Sequence, residues 1–110
     1  MFKRGDIVSC VLGGDYGKPR PAVIVQSDLF NEPHSSVTIC PLTTHLVEAP
    51  LFRIALIPSK QNGLRQPSQI MVDKISSIKT DKIHQKIGNL GSVQTQKLNE
   101  ALKTWLEIEL

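Results

Sequence analysis

Along most of this chain the apolar and polar residues cluster or alternate with the short period of strands, and only near the end does the period become helical. Residues 6–12 are short, β-branched and bounded by glycines, which predicts a first strand. After a glycine-rich loop, the unbroken run Ala22-Val23-Ile24-Val25 predicts a second strand over 21–26, central in its sheet and buried on both faces. Turn chemistry over 28–35, with a short helical turn, separates it from a third strand at 36–42. Pro50 and Pro58 bracket a fourth strand at 51–57, and Asn62-Gly63 marks a hairpin-type turn. Residues 68–78 form the longest β-like stretch, and a change of apolar phase near Asp73 predicts a bulge or bend that lets one strand serve two sides of a barrel. Residues 83–87 alternate weakly, with Gly88 and Gly91 soon after, and read as either a short strand or a turn.

From Ser92 onward, Leu98, Ala101, Leu102, Trp105 and Leu106 recur at the i, i+3, i+4 spacing of an amphipathic helix, while Lys97, Glu100, Lys103 and Glu107 fall elsewhere. Ser92 is the expected N-cap, and Trp105 is expected in the core. Together these patterns predict a mainly β fold ended by one C-terminal helix, in a single domain over residues 1–110 with no repeat or linker.

Composition narrows this only a little. A chain of 110 residues supports one hydrophobic core and is too short for two. With 40% hydrophobic and 21% charged residues it reads as a soluble globular domain, and no apolar run approaches the roughly 20 residues of a membrane span. The first residues enter a strand pattern without the apolar region of a secretory signal, so a cytoplasmic protein is expected. Cys10 and Cys40 lie inside apolar runs without C-x-x-C spacing and read as buried free thiols. The net charge of +3 and a pI near 9.0 admit an anionic partner, nucleic acid or acidic peptide, without requiring one.

The glycine loop at 13–17 lacks P-loop spacing and no helix signal follows it, which excludes nucleotide binding by that motif. His34, His45 and His84 are scattered, so neither a metal site nor a cofactor is expected, and there is no G-x-S-x-G elbow. What remains is Arg20, set between Pro19 and Pro21 at the mouth of the second strand. The prolines fix their own φ and push Arg20 to extended backbone, so its planar fork sits on a stiff mount suited to a phosphate or carboxylate. Taken alone, Arg20 reads as a surface arginine beside a turn. Tyr16 and Lys18 in the preceding loop can stack on a base and meet a phosphate, or simply form a solvated turn.

The segments R-P-A-V-I-V at 20–25 and C-P-L-T-T at 40–44 resemble the MazF/PemK family of toxin endoribonucleases. The resemblance runs from Gly5-Asp6-Ile7-Val8, through Ser68-Gln69-Ile70, to the closing helix. It implies a small, strongly curved Src-homology-3-like β-barrel of the MazF/CcdB toxin type with a C-terminal helix. It also implies a homodimer, neutralised by a MazE-like antitoxin, that cleaves single-stranded RNA without a metal and so inhibits translation. In that chemistry the ribose 2′-hydroxyl attacks its own phosphate, leaving a cyclic phosphate and a 5′-hydroxyl. The family's catalytic arginine falls on Arg20 and its catalytic threonine on Thr43, with Tyr16, Lys18, Thr44 and Gln69 expected to bind substrate. Without the resemblance, Thr43 reads as a strand-end hydroxyl capping a turn. Some members carry an arginine and an aspartate before the long strand, where this chain has Gln66 and Ser68, so their acid/base assignment does not transfer. His45 stays outside the catalytic set, because it shares a face with Thr43 only if extended backbone continues past Leu42. Two other functions stay open on sequence. One is a CcdB-like DNA gyrase poison, resting on exposed residues around Trp105, and the other is a barrel that binds RNA without cutting it.

Overall fold

The structure, a computed structural model, describes residues 2–13 and 16–108. Gly14 and Asp15 of the glycine loop lie outside the described residues. The strands are β1 (Asp6–Val11), β2 (Pro19–Ile24), β3 (Ser36–Thr43), β4 (Arg53–Leu56), β5 (Ser68–Met71), β6 (Ser76–Lys79) and β7 (Ile83–Asn89). A short α1 (Asp28–Asn31) follows β2, and α2 (Ser92–Leu106) ends the fold. The ambiguous stretch after residue 82 is thus a strand.

β3 organises the sheet because both of its edges are used. On one side it pairs with β2 from Ala22↔Pro41 to Ile24↔Ile39. On the other it pairs first with β6, from Ser36↔Lys79 to Ile39↔Ser76, and then with β5, at Leu42↔Ile70 and Thr43↔Gln69. Between Ile39↔Ser76 and Leu42↔Ile70, β3 advances three residues while its partner advances six. A one-turn 3-10 helix over Val72–Lys74 absorbs the excess, which is the bend expected near Asp73. The path β7-β1-β2-β3-β6 curls until another 3-10 turn, Thr80–Lys82, returns the chain to β7. No β6–β7 ladder joins the ends among the described residues, so the barrel is curled but not closed.

Two apolar clusters form on opposite faces of this sheet. Val8, Cys10, Ala22, Ile24, Val37, Ile39 and Ile83 pack on one, whereas Ile7, Val23, Val25, Cys40, Leu42 and Ile70 pack on the other with Leu98, Ala101 and Leu102 of α2. The unbroken apolar run of β2 serves both clusters at once, as its lack of alternation requires. Both cysteines are free and buried, and burial pushes their thiols up to about 11 for Cys10 and about 12 for Cys40.

The helix departs from expectation at both ends. Gly91 is the N-cap and Ser92 the first helical residue, with no side-chain cap; the Thr95 hydroxyl and amide both donate to the Gly91 carbonyl at 2.9 Å. Trp105 is 45% exposed, because the last turn of α2 overhangs the core and keeps only a tilted contact with Phe52, centroids 5.5 Å apart.

A partly buried ion pair ties β4 to the bend. Arg53 donates from Nε to Asp73 Oδ1 at 2.8 Å and from Nη2 to Oδ2 at 3.0 Å. The hydrogen bonds from Arg53 hold the Asp73 carboxyl below its ordinary range. A depressed carboxyl stabilises the fold above its unfolded pKa, about 3.9, and the contribution is lost as pH falls through the lower folded value. Asp73→Asn is therefore expected to cost about 2 kcal/mol at pH 7 in urea unfolding, with the deficit relative to the parent shrinking below pH 4. A deficit that stays constant down to pH 2 would show that the charge is not what stabilises the bend.

Candidate active site

Arg20 and Thr43 are 23 positions apart in sequence and are brought together by register. The β2–β3 ladder stops at Ala22↔Pro41, and continuing its register by two residues sets Arg20 opposite Thr43. The ladder itself ends before that pair, while on its other edge the end of β3 pairs with β5 through Leu42 and Thr43. Where β3 parts from β2 the sheet opens into a groove of about 340 Å³, and Arg20, Thr43 and Thr44 all line it. Its apolar walls include Leu12, Pro21, Pro41 and Met71. Pro41 lies opposite Ala22 at the end of the ladder and Pro21 is the next residue of β2, and neither proline has an N–H to donate to the ladder.

Thr43 is half-buried and its Oγ1 accepts a hydrogen bond from the His45 amide at 3.0 Å. The turn-capping role and a role in the groove are compatible, since an oxygen that accepts from the backbone keeps its own proton for donation. Arg20 is exposed at the rim. His45 is not among the residues that line the groove.

Tyr16 and Lys18 are exposed on the β1–β2 loop and stand outside the groove lining. Tyr16 has φ of 53° and is fully solvent-exposed, a left-handed conformation that non-glycine residues adopt at a cost. Gln69 also lies outside the groove, and its amide is engaged elsewhere: Oε1 accepts from the Val47 N–H at 3.1 Å and Nε2 donates to the Val47 carbonyl at 2.8 Å. Ser68, by contrast, lines the groove while nearly fully buried, with its hydroxyl donating to the Gln66 carbonyl at 2.9 Å. The sequence did not mark Ser68 as a groove residue, although it lies in the segment that carries the family resemblance, and it did not mark Leu12, Pro41 and Met71 as walls. Their place depends on pairings that no local signal encodes.

The fold is thus a small curled barrel with an arginine and a threonine on one groove where two strands part. The sequence profile of the PemK-like, MazF-like toxins of type II toxin-antitoxin systems matches residues 3–106, and the chain belongs to that family. It is 36% identical over 108 residues to a probable endoribonuclease MazF of Mycolicibacterium smegmatis, covering 97% of this chain and 98% of the relative. It is 28% identical over 112 residues to the endoribonuclease EndoA of Bacillus subtilis, covering 98% and 97%. Among solved structures it resembles a mycobacterial endoribonuclease in complex with its cognate antitoxin, with a TM-score of 0.84, 25% identity, and coverage of 100% and 99%. The MazE–MazF complex of Deinococcus radiodurans shares the fold at 16% identity, with a TM-score of 0.80 over 98% of this chain and 97% of that one.

Proposed function

We propose that this chain, a MazF-like toxin endoribonuclease by family, cuts single-stranded RNA without a metal, using Arg20 and Thr43 on the scissile phosphate. The reading rests on one observation, the groove where β3 leaves β2, which Arg20, Thr43 and Thr44 line together.

The 2′-oxygen attacks the adjacent phosphorus, the bond to the 5′-oxygen breaks, and the proton lost by the 2′-hydroxyl is matched by one gained at the leaving oxygen. The products are a cyclic phosphate and a 5′-hydroxyl. DNA lacks the nucleophile and is not a substrate. As charge builds on the phosphorus, the fork of Arg20 donates to the non-bridging oxygens and Thr43 adds a neutral donor. A guanidinium parts with its proton too reluctantly to serve as the acid at neutral pH, so the work of Arg20 is charge stabilisation. Thr44 meets the same phosphate region, and Tyr16 and Lys18 on the rim loop stack on a base and neutralise a flanking phosphate. Cleavage of cytoplasmic mRNA in this way inhibits translation.

Two partners complete the reading. A second copy forms a homodimer, supported by an apolar groove of about 650 Å³ between β4 and α2 whose walls include Leu51, Ile54, Ala55 and Val93. An acidic MazE-like antitoxin segment then covers the basic edge at Lys18 and Arg20, in keeping with the net charge of +3. Sedimentation of the chain alone and with such a peptide tests both; a monomer at micromolar concentration that ignores the peptide would contradict them.

Incubation of the purified protein with single-stranded RNA in chelator is the deciding assay. Fragments with cyclic-phosphate and 5′-hydroxyl ends support the proposal, while the matching DNA strand stays whole. RNA bound but uncut indicates a binding barrel. Intact RNA with inhibited gyrase indicates a poison acting through the half-exposed surface at Trp105.

A further inference from the structure

Gln69 occupies the middle of β5, paired with Thr43 on one side and with Ala55 of β4 on the other. Paired residues of antiparallel strands project from the same face, so the Gln69 side chain rises beside that of Thr43. There its carboxamide does what a backbone ladder residue does: it accepts from Val47 N–H at 3.1 Å and donates to Val47 C=O at 2.8 Å. Val47 belongs to the loop that leaves β3 immediately after Thr43, and all of residues 44–48 are exposed. Two residues nearer the site, the His45 amide donates to Thr43 Oγ1 at 3.0 Å. Gln69, Val47, His45 and Thr43 therefore form one short chain of contacts ending at the hydroxyl in the groove.

We propose that Gln69 is a positioning residue for RNA cleavage: its amide pins the β3–β4 loop at Val47, so that the His45 N–H holds Thr43 Oγ1 and turns the hydroxyl proton to the scissile phosphate. The amide acts through the loop and makes no contact with RNA. An exposed loop whose backbone is satisfied only by solvent moves freely, and a misplaced donor contributes little to a developing charge. A carboxamide supplies both an acceptor and a donor to a single peptide unit without a charge, whereas an ionised carboxylate there turns an oxygen towards the Val47 carbonyl. This inference rests on the assignment of Thr43 made above.

The test is a double-mutant cycle on Gln69→Leu and Thr43→Val, read by single-turnover cleavage of a short RNA with one cut site. Thr43→Val alone is expected to lower the rate about tenfold, the loss of one neutral donor. Gln69→Leu is expected to lower kcat about fivefold with KM within about twofold of the parent, and the double variant to cut no more slowly than Thr43→Val. Gln69→Glu preserves the side-chain shape should the leucine variant fold poorly. Its activity relative to the parent should rise as pH falls from 8 to 5, because a protonated carboxyl regains the donor that Val47 needs. A parent rate for Thr43→Val would overturn the assignment of Thr43 itself. Losses that multiply in the double variant, beside a slow Thr43→Val, would overturn the inference alone. A raised KM or an altered cut sequence for Gln69→Leu with kcat unchanged would show the amide reading RNA directly, and would also overturn it.

Discussion

Arg20→Ala is expected to lower the rate of RNA cleavage by at least about 100-fold while the melting temperature moves little, since removing one preorganised donor from a comparable oxyanion site costs about that much. The charge that develops on the phosphate must be met in place, and among the described residues Arg20 is the only arginine or lysine on the groove lining. Its mount is stiff: Pro19 and Pro21 flank it, and Cys10 of β1 faces it across the ladder. The side chain is exposed and belongs to neither apolar cluster, so its removal opens no cavity in the core. Arg20→Lys should restore less than about a tenth of the lost activity, because an ammonium keeps the charge but not the planar double contact. The measurement is single-turnover cleavage beside a thermal melt. A variant that cuts at the parent rate would move catalysis away from this groove, and one that unfolds would make Arg20 a structural residue.

The largest effect on stability is expected at Gly88, on β7 far from the groove. A β-carbon there would run into the backbone of Gln61 and Asn62, and backbone at that place cannot swing aside as a flexible side chain can. The segment it would strike is held firmly. Asn62 is buried; its Oδ1 accepts from the amides of Ser59 and Leu64, each at 3.0 Å, and its Nδ2 donates to the Ile57 carbonyl at 2.8 Å. The Gln61 carbonyl accepts from the Asn89 amide at 2.9 Å, so loop and strand are already locked. Gly63 reciprocates, at φ of 67°, with its own would-be β-carbon against the Ile87 carbonyl. Gly88→Ala must therefore push the 59–63 turn off β7 and is expected to cost about 3 kcal/mol, at the upper end of overpacking penalties. Urea unfolding measures it. A loss below about 0.5 kcal/mol, the level of an ordinary surface change, would show that the turn yields.

Gly88 illustrates how the sequence reading ran out. Beside Gly91 it looked like a sign of weak structure after residue 87, because a glycine in a strand lowers local propensity. In the fold β7 continues to Asn89, and the glycine admits the turn at Gln61 and Asn62, 27 and 26 residues earlier. The bend at Asp73 was legible because a shift in alternation marks a change of face within one segment, although not that the two halves would run along the same edge of β3.

The chain's own order of residues determined the elements: strands where β-branched residues run or alternate, a helix where the period lengthens, and an arginine stiffly mounted between two prolines. These follow from sterics and burial acting over a few residues. The tertiary structure alone decided which of them meet. Register set Arg20 across from Thr43, the end of the β2–β3 ladder at Ala22↔Pro41 left the groove that both line, and the amide of Gln69 went to Val47. It also left Trp105 half in solvent, since the length of α2 exceeds the core it covers. Propensity and period describe a residue's immediate neighbours, whereas a strand's partner, and a side chain's hydrogen-bonding partner 22 residues away, are fixed only when the whole sheet curls and buries both faces.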